Sequence, residues 1–289
     1  MPYIYLLGSV FLAASSSILG GFFNRKTQGK EKAPILYNFL SMCCTLLFWV
    51  VLFCFDGGAD IRVVPYALLY ACFYGGCTIA VVYALRTGPI VLTTLIKQLA
   101  LICVSVWGFF FWNDPFTISV AIGLLLVVIA LWLCLYNKKK EKAQAFNFKW
   151  LVYVLIVFVG NAGCSIVQKT EQIHFDGQYG NFLMLLTTAL VTLVCLVMYL
   201  KSDKTKLRGV LKTTWYIPVL SGISNALLNL FIIFLTTSVL SPSLIYPVMA
   251  VGGIMVVTLF STTIFKEKMH WWQWFGVIIG CVAVGMLSI

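Results

Sequence analysis

A lysine lying eight residues inside an apolar run is the first residue of this chain that could do chemistry. Lys97 stands in Pro89–Trp112, "PIVLTTLIKQLALICVSVWGFFFW", where every residue but Lys97 and Gln98 is apolar, small or a hydroxyl able to bond its own helix. At 1.5 Å of rise per residue it sits about 12 Å from the start of a helix. Fifteen residues remain to the other end, so its side chain snorkels easily to neither interface. A lone ammonium at that depth loses its proton, bonds backbone carbonyls or meets an anion. No Asp or Glu shares its depth in the sequence. The reading adopted is that Lys97 receives an anionic solute, with Thr94 and Gln98 adding hydrogen bonds nearby.

Neutral polar residues fall in stripes at helical spacing. Ser221, Asn225 and Asn229 form one face, and Asn161, Ser165 and Gln168 another. Tyr70 and Tyr74, Tyr246 beside Pro247, and Ser15, Ser16 and Ser17 with Gly20 complete the set. Such groups either line a cavity or tie helices together at roughly 0.6 kcal/mol per bond. Tyrosines also anchor at interfaces or pack. The substrate-binding candidates are therefore Lys97, Gln98, Thr94, Asn161, Gln168, Asn225, Asn229, Tyr74 and Tyr246. No nucleophile stands with a base, and no His or carboxylate lies at depth, so neither an enzyme nor a metal or other cofactor is expected. Asp114 and Glu267 read as carboxylates favouring the helices that follow them, and Trp271 and Trp272 as an interfacial belt.

The elements that must position these residues follow from composition. Hydrophobic residues make up 61% of the 289 and charged ones 10%, and the mean hydropathy is +0.99. Such a chain takes the lipid bilayer as its solvent and partner. Ten runs are long enough to span, at about 3–23, 34–55, 63–86, 89–112, 116–136, 150–172, 179–200, 213–238, 241–265 and 271–288. They lack the alternation of barrel strands, so the expected class is an all-α polytopic membrane protein. The net charge of +11 is concentrated in short bursts such as "NKKKEK". These signal topology rather than nucleic-acid binding. The ten cysteines lie inside apolar runs and read as packing residues.

Adding 153 to positions of the first half maps Pro65 onto Pro218, Pro89 onto Pro242, Asp114 onto Glu267 and Gly123 onto Gly276. Two five-helix units, 1–137 and 150–289, are expected, joined by a basic linker at 138–149. Five being odd, the second unit starts on the opposite side, making inverted repeats that place a site near the midplane. Counting the last turn of each run with the connection that follows it, seventeen of the twenty Lys and Arg fall after the odd-numbered runs and two after the even-numbered runs. Both termini are therefore expected outside the cytoplasm. The absence of N-x-S/T sequons fits a bacterial inner membrane. Gly276 and Gly280 form a GxxxG pair, which serves either ordinary packing in a monomer or a homodimer seam.

After the ninth run comes "FKEKMHWWQWFGVIIGCVAVG", and after the fourth "FWNDPFTISVAIGLLLVVIA". An acidic residue, a polar step and then a glycine opening an apolar helix resembles the EamA-type repeat of the drug/metabolite transporter superfamily. "LIYPVMAVGG" is similar to that family's proline-containing ninth helix. The resemblance implies ten helices in two inverted halves and the transport of a small solute. Relatives that handle phosphorylated sugars use basic residues on the fourth and ninth helices. Here Lys97 is matched by Ala250, which favours a singly anionic or amino-acid-like metabolite. The first-helix glutamate of the small multidrug members has no counterpart in "LAASSSILGG". The function expected is alternating-access transport, with a lipid-head-group flippase or a cationic drug or metabolite exporter as alternatives.

Overall fold

The computed structural model describes residues 2–28, 30, 32–55, 57–88, 90–113, 117–135, 148–202, 210, 212–238, 240–263 and 271–287. Among these the long helices are α1 (Pro2–Lys26), α2 (Ala33–Phe55), α3 (Val64–Thr87), α4 (Ile90–Phe111) and α5 (Ile118–Leu135) in the first half. The second half holds α6 (Phe148–His174), α7 (Gly180–Leu200), α8 (Tyr216–Thr236), α9 (Pro242–Thr263) and α10 (Trp271–Leu287). No strand occurs among the described residues. Six helices, α1, α2, α3, α6, α7 and α8, are long and apolar enough to cross a membrane. The chain is an all-helical, multi-pass membrane protein. Asp114, Glu267, Pro89 and most of the basic linker lie outside the described residues.

Helix ends follow local chemistry. Pro65 sits in the first turn of α3, where its missing N–H is no loss. Before it, the Asp60 side chain accepts from the Arg62 backbone N–H at 2.8 Å and from its guanidinium. Those bonds hold the Asp60 carboxyl below its usual range. Between α6 and α7 the chain turns through Asp176 and Gly177, both at positive φ. Pro247 lies inside α9, where it removes one backbone hydrogen bond.

The most extensive packing joins α5 with α10, α3 with α6, α1 with α8, α4 with α9 and α2 with α7. Next come α1 with α9, α2 with α8, α4 with α6 and α3 with α7. Exchanging every helix for the one five places along maps this set of pairs onto itself. Small residues permit the closest approaches. A Cβ on Gly160 of α6 would meet the Cys77 Cβ and the Phe73 carbonyl of α3, each at 2.8 Å. The helices α5 and α10 turn Leu125, Trp132, Phe275 and Ile278 outward and stand at the periphery.

The GxxxG pair of α10 is used inside the chain. Gly276 and Gly280 are both buried, and a Cβ on Gly280 would lie 2.7 Å from Val251 of α9. At Gly280 that face packs against α9 within the chain. The eight described cysteines carry free thiols.

Candidate functional site

Six helices enclose a cavity of about 120 Å³. An engineered cavity of ~150 Å³ holds benzene, so this one has room for a solute of about half a dozen heavy atoms. Among the described residues, Lys97 of α4 is the only charged one on its wall. The wall otherwise consists of small, hydroxyl, amide and apolar side chains from α1, α2, α3, α6 and α8. Of the expected set, Lys97, Asn161, Gln168, Asn225, Asn229 and Tyr74 meet here. These residues are distant in sequence, and the packing of α3 on α6 and of α2 on α8 brings them together.

The amides and tyrosines form a network across helices. Asn225 donates to the Tyr74 hydroxyl at 2.8 Å, and Tyr70 donates to Asn229 Oδ1 at 3.2 Å. Asn229 Nδ2 also donates to Asn225 Oδ1 and to its carbonyl, each at 2.9 Å. Tyr37 donates to Ser221 Oγ at 2.7 Å, tying α2 to α8. Asn161 donates to the backbone carbonyl of Lys97 at 2.9 Å, so α6 grips α4 at the turn that carries the lysine. The amides both tie the helices together and line the cavity, two readings that the stripes alone left open.

Three wall groups remain available. Lys97 is half-buried, and its ammonium makes no ion pair or hydrogen bond among the described residues. Gln168 is 2% exposed, and its Nε2 has no hydrogen-bond partner. Asn38 Oδ1 is likewise unpartnered. One ammonium and one amide N–H₂ facing the same space present donors to an acceptor-rich group.

Three expected residues do not reach the wall. Gln98 is buried with its side-chain nitrogen against Gly253 of α9, one position on from Lys97 and therefore turned to a different helix. Thr94 is buried away from the cavity, its hydroxyl oxygen unpartnered. Tyr246 is fully buried and donates to the Ser165 carbonyl at 3.5 Å, so α9 contributes packing where its partner α4 contributes charge. Thr93, which shares a face with Lys97, accepts from Trp150 Nε1 at 3.1 Å.

The sequence reading left out Asn38, Ser41 and Thr78, all on the wall. Asn38 and Ser41 are three apart on one face of α2, a signal that was present but short. A larger omission is Glu171. The run expected to end at residue 172 continues as helix to His174, and Glu171 is fully buried within it.

The cavity lies off-centre along the bundle. On α3 its wall runs from Tyr70 to Leu85, close to the end of the helix at Thr87. The opposite end is sealed by polar contacts between α6 and α8. There Thr236 and Gln172 share a short hydrogen bond, and Lys169 Nζ donates to the Thr236 carbonyl at 2.5 Å.

No family model matches the chain, and no curated protein matches it. One solved crystal structure is similar over 97% of this chain and 98% of its own, with a TM-score of 0.66 and 11% identity. A protein solved by experiment therefore adopts the same overall fold from end to end. At that identity the likeness speaks of fold alone.

Proposed function

We propose that this chain is a secondary transporter of the drug/metabolite transporter type, moving a small polar metabolite with one anionic group by alternating access. The observation that carries the reading is the cavity itself, polar, enclosed by six helices, and bearing Lys97 as its only charge, with no counter-ion among the described residues. An ammonium at such depth is costly unless something pairs with it. The Gln168 amide nitrogen adds a second unused donor. Cavity volume favours a compact solute such as an amino acid or a short carboxylic acid.

The proposed architecture is ten transmembrane helices in two inverted five-helix repeats, 1–137 and 150–289. Its support is the set of packing pairs, unchanged when helices five places apart are exchanged, together with the landmarks Pro65 and Pro218, and Gly123 and Gly276. Inverted repeats allow one half to rock against the other around a midplane site. With termini outside the cytoplasm, the end to which the cavity extends along α3 is the cytoplasmic one. The state described is then closed outside.

A thermal-shift screen of the purified protein against small carboxylates and amino acids, repeated with Lys97→Gln, tests the assignment. Hydrogen bonds to charged groups contribute about 1.5–3 kcal/mol, so the variant should bind its solute roughly ten- to a hundredfold more weakly while remaining folded. Equal affinity in the two proteins would remove Lys97 from the site.

A further inference from the structure

Of the nine acidic residues, Glu171 alone lies within a described α-helix. Its side chain is fully buried, and neither carboxyl oxygen has a hydrogen-bond partner. Gly160, Cys164, Val167 and Glu171 follow at i, i+4, i+7 and i+11, a single face of α6. Gly160 and Gly163 meet Cys77 and Phe73 of α3, and extending that antiparallel register sets Glu171 opposite the first turn of α3. The carboxyl thus occupies the sealed end of the bundle, one turn beyond Gln168 on the cavity wall.

Among the described residues, nothing charged is arranged to neutralise it. On α6, Lys169 donates to the Thr236 carbonyl and His174 lies against Tyr66 and Phe175. The α3 side offers Tyr66 and Tyr70, the latter bonded to Asn229. At the start of α7, Tyr179 packs on Phe175, and α8 presents the neutral Asn229 and Thr236. Tyr246 of α9 donates to Ser165, and Lys97 of α4 lies level with Asn161, ten residues or about 15 Å along α6. Arg62 is held by Asp60. An ionised carboxylate removed from water without partners costs several kcal/mol, whereas the neutral acid leaves only ordinary polar groups to satisfy.

We propose that Glu171 is a proton-binding site, occupied while the α3–α6–α8 end is closed and emptied when that end opens. On opening, the carboxyl O–H bond breaks, the oxygen keeps the electron pair and water takes the proton. On the transporter reading, on which this second half rests, one proton then accompanies each opening of the outer end. Because the closed state holds the proton more tightly, rising pH favours the open one, by up to about tenfold per pH unit between the titration of the group in the open state and its higher titration in the closed state.

Two measurements test this, and neither needs a substrate. Infrared spectra of the purified protein in lipid, titrated with pH, are compared with those of Glu171→Gln. The protonated carboxyl C=O stretch should be present in the native protein near neutral pH, absent from the variant, and lost on alkaline titration. In a background keeping Cys164 as the sole cysteine, labelling by a membrane-impermeant maleimide from the outer side should rise with pH, and Glu171→Gln should flatten that rise. Identical carboxyl bands in native protein and variant would overturn the proton site. A band with pH-independent labelling would overturn its link to opening. Either failure leaves the Lys97 affinity test unaffected, and failure of that test leaves the infrared band unaffected.

Discussion

Lys97 is tolerated because the cavity lets its head escape hydrocarbon while its stem stays in the helix. The Asn161 amide holds the backbone carbonyl of that same residue, so the position of the ammonium is set from α6 as well as α4. Loss of one such interhelical bond costs about 0.6 kcal/mol on average in a membrane. Asn229 makes three contacts, to Tyr70, Asn225 Oδ1 and the Asn225 carbonyl. Asn229→Ala should therefore lower stability by roughly 1–2 kcal/mol, read as a lower melting temperature in detergent. Tyr70→Phe removes one of those bonds and should cost less. In transport assays Lys97→Ala should remove uptake of an anionic solute while leaving expression and membrane insertion as in the native protein. Wild-type uptake by that variant would make the lysine a packing feature.

At the scale of elements, glycines decide how closely helices approach. Lipid gives helices no hydrophobic reason to associate, so close packing supplies much of the attraction. The Cβ of an alanine at position 160 would stand 2.8 Å from both the Cys77 Cβ and the Phe73 carbonyl, and backbone atoms have little room to yield. Gly160→Ala should cost about 1–3 kcal/mol, the range for overpacked cores, and should depress melting temperature more than the same change at Gly76, where the nearest atom is at 3.6 Å. Gly280→Leu should likewise destabilise the monomer through Val251. If light scattering instead showed that this variant changes a dimer into a monomer at unchanged melting temperature, the intramolecular role assigned to that face would be wrong.

At the scale of the molecule, orientation is a matter of charge. Basic residues cluster after odd-numbered helices, and such clusters stay on the cytoplasmic side. Cysteines introduced at residues 2 and 287, in a background without native cysteines, should react with an impermeant reagent added outside intact cells. Protection of both would invert the molecule, and with it the side to which the cavity extends and the side Glu171 faces.

The helical runs and the singular position of Lys97 were legible in the sequence. Each depends on local spacing and on the cost of polar groups in hydrocarbon, which act residue by residue. Six of nine expected site residues meet at the cavity for the same reason, since a polar stripe at helical spacing must turn towards something other than lipid. What a stripe turns towards is a tertiary matter. Gln98 and Thr94 lie on the same helix as Lys97 yet face other neighbours, and Tyr246 fills space where a repeat-related site residue was expected. For Gly280, the sequence does not show that Val251 of α9 is the neighbour it admits. Glu171 looked like the last residues of a span because hydropathy alone cannot tell an end at the surface from an end covered by α3 and α8. Local chemistry determined the helices and the charge that needs a partner. Only the packing of helices far apart in sequence decided which polar groups share a cavity, which are consumed in holding it together, and which carboxyl is buried without a partner.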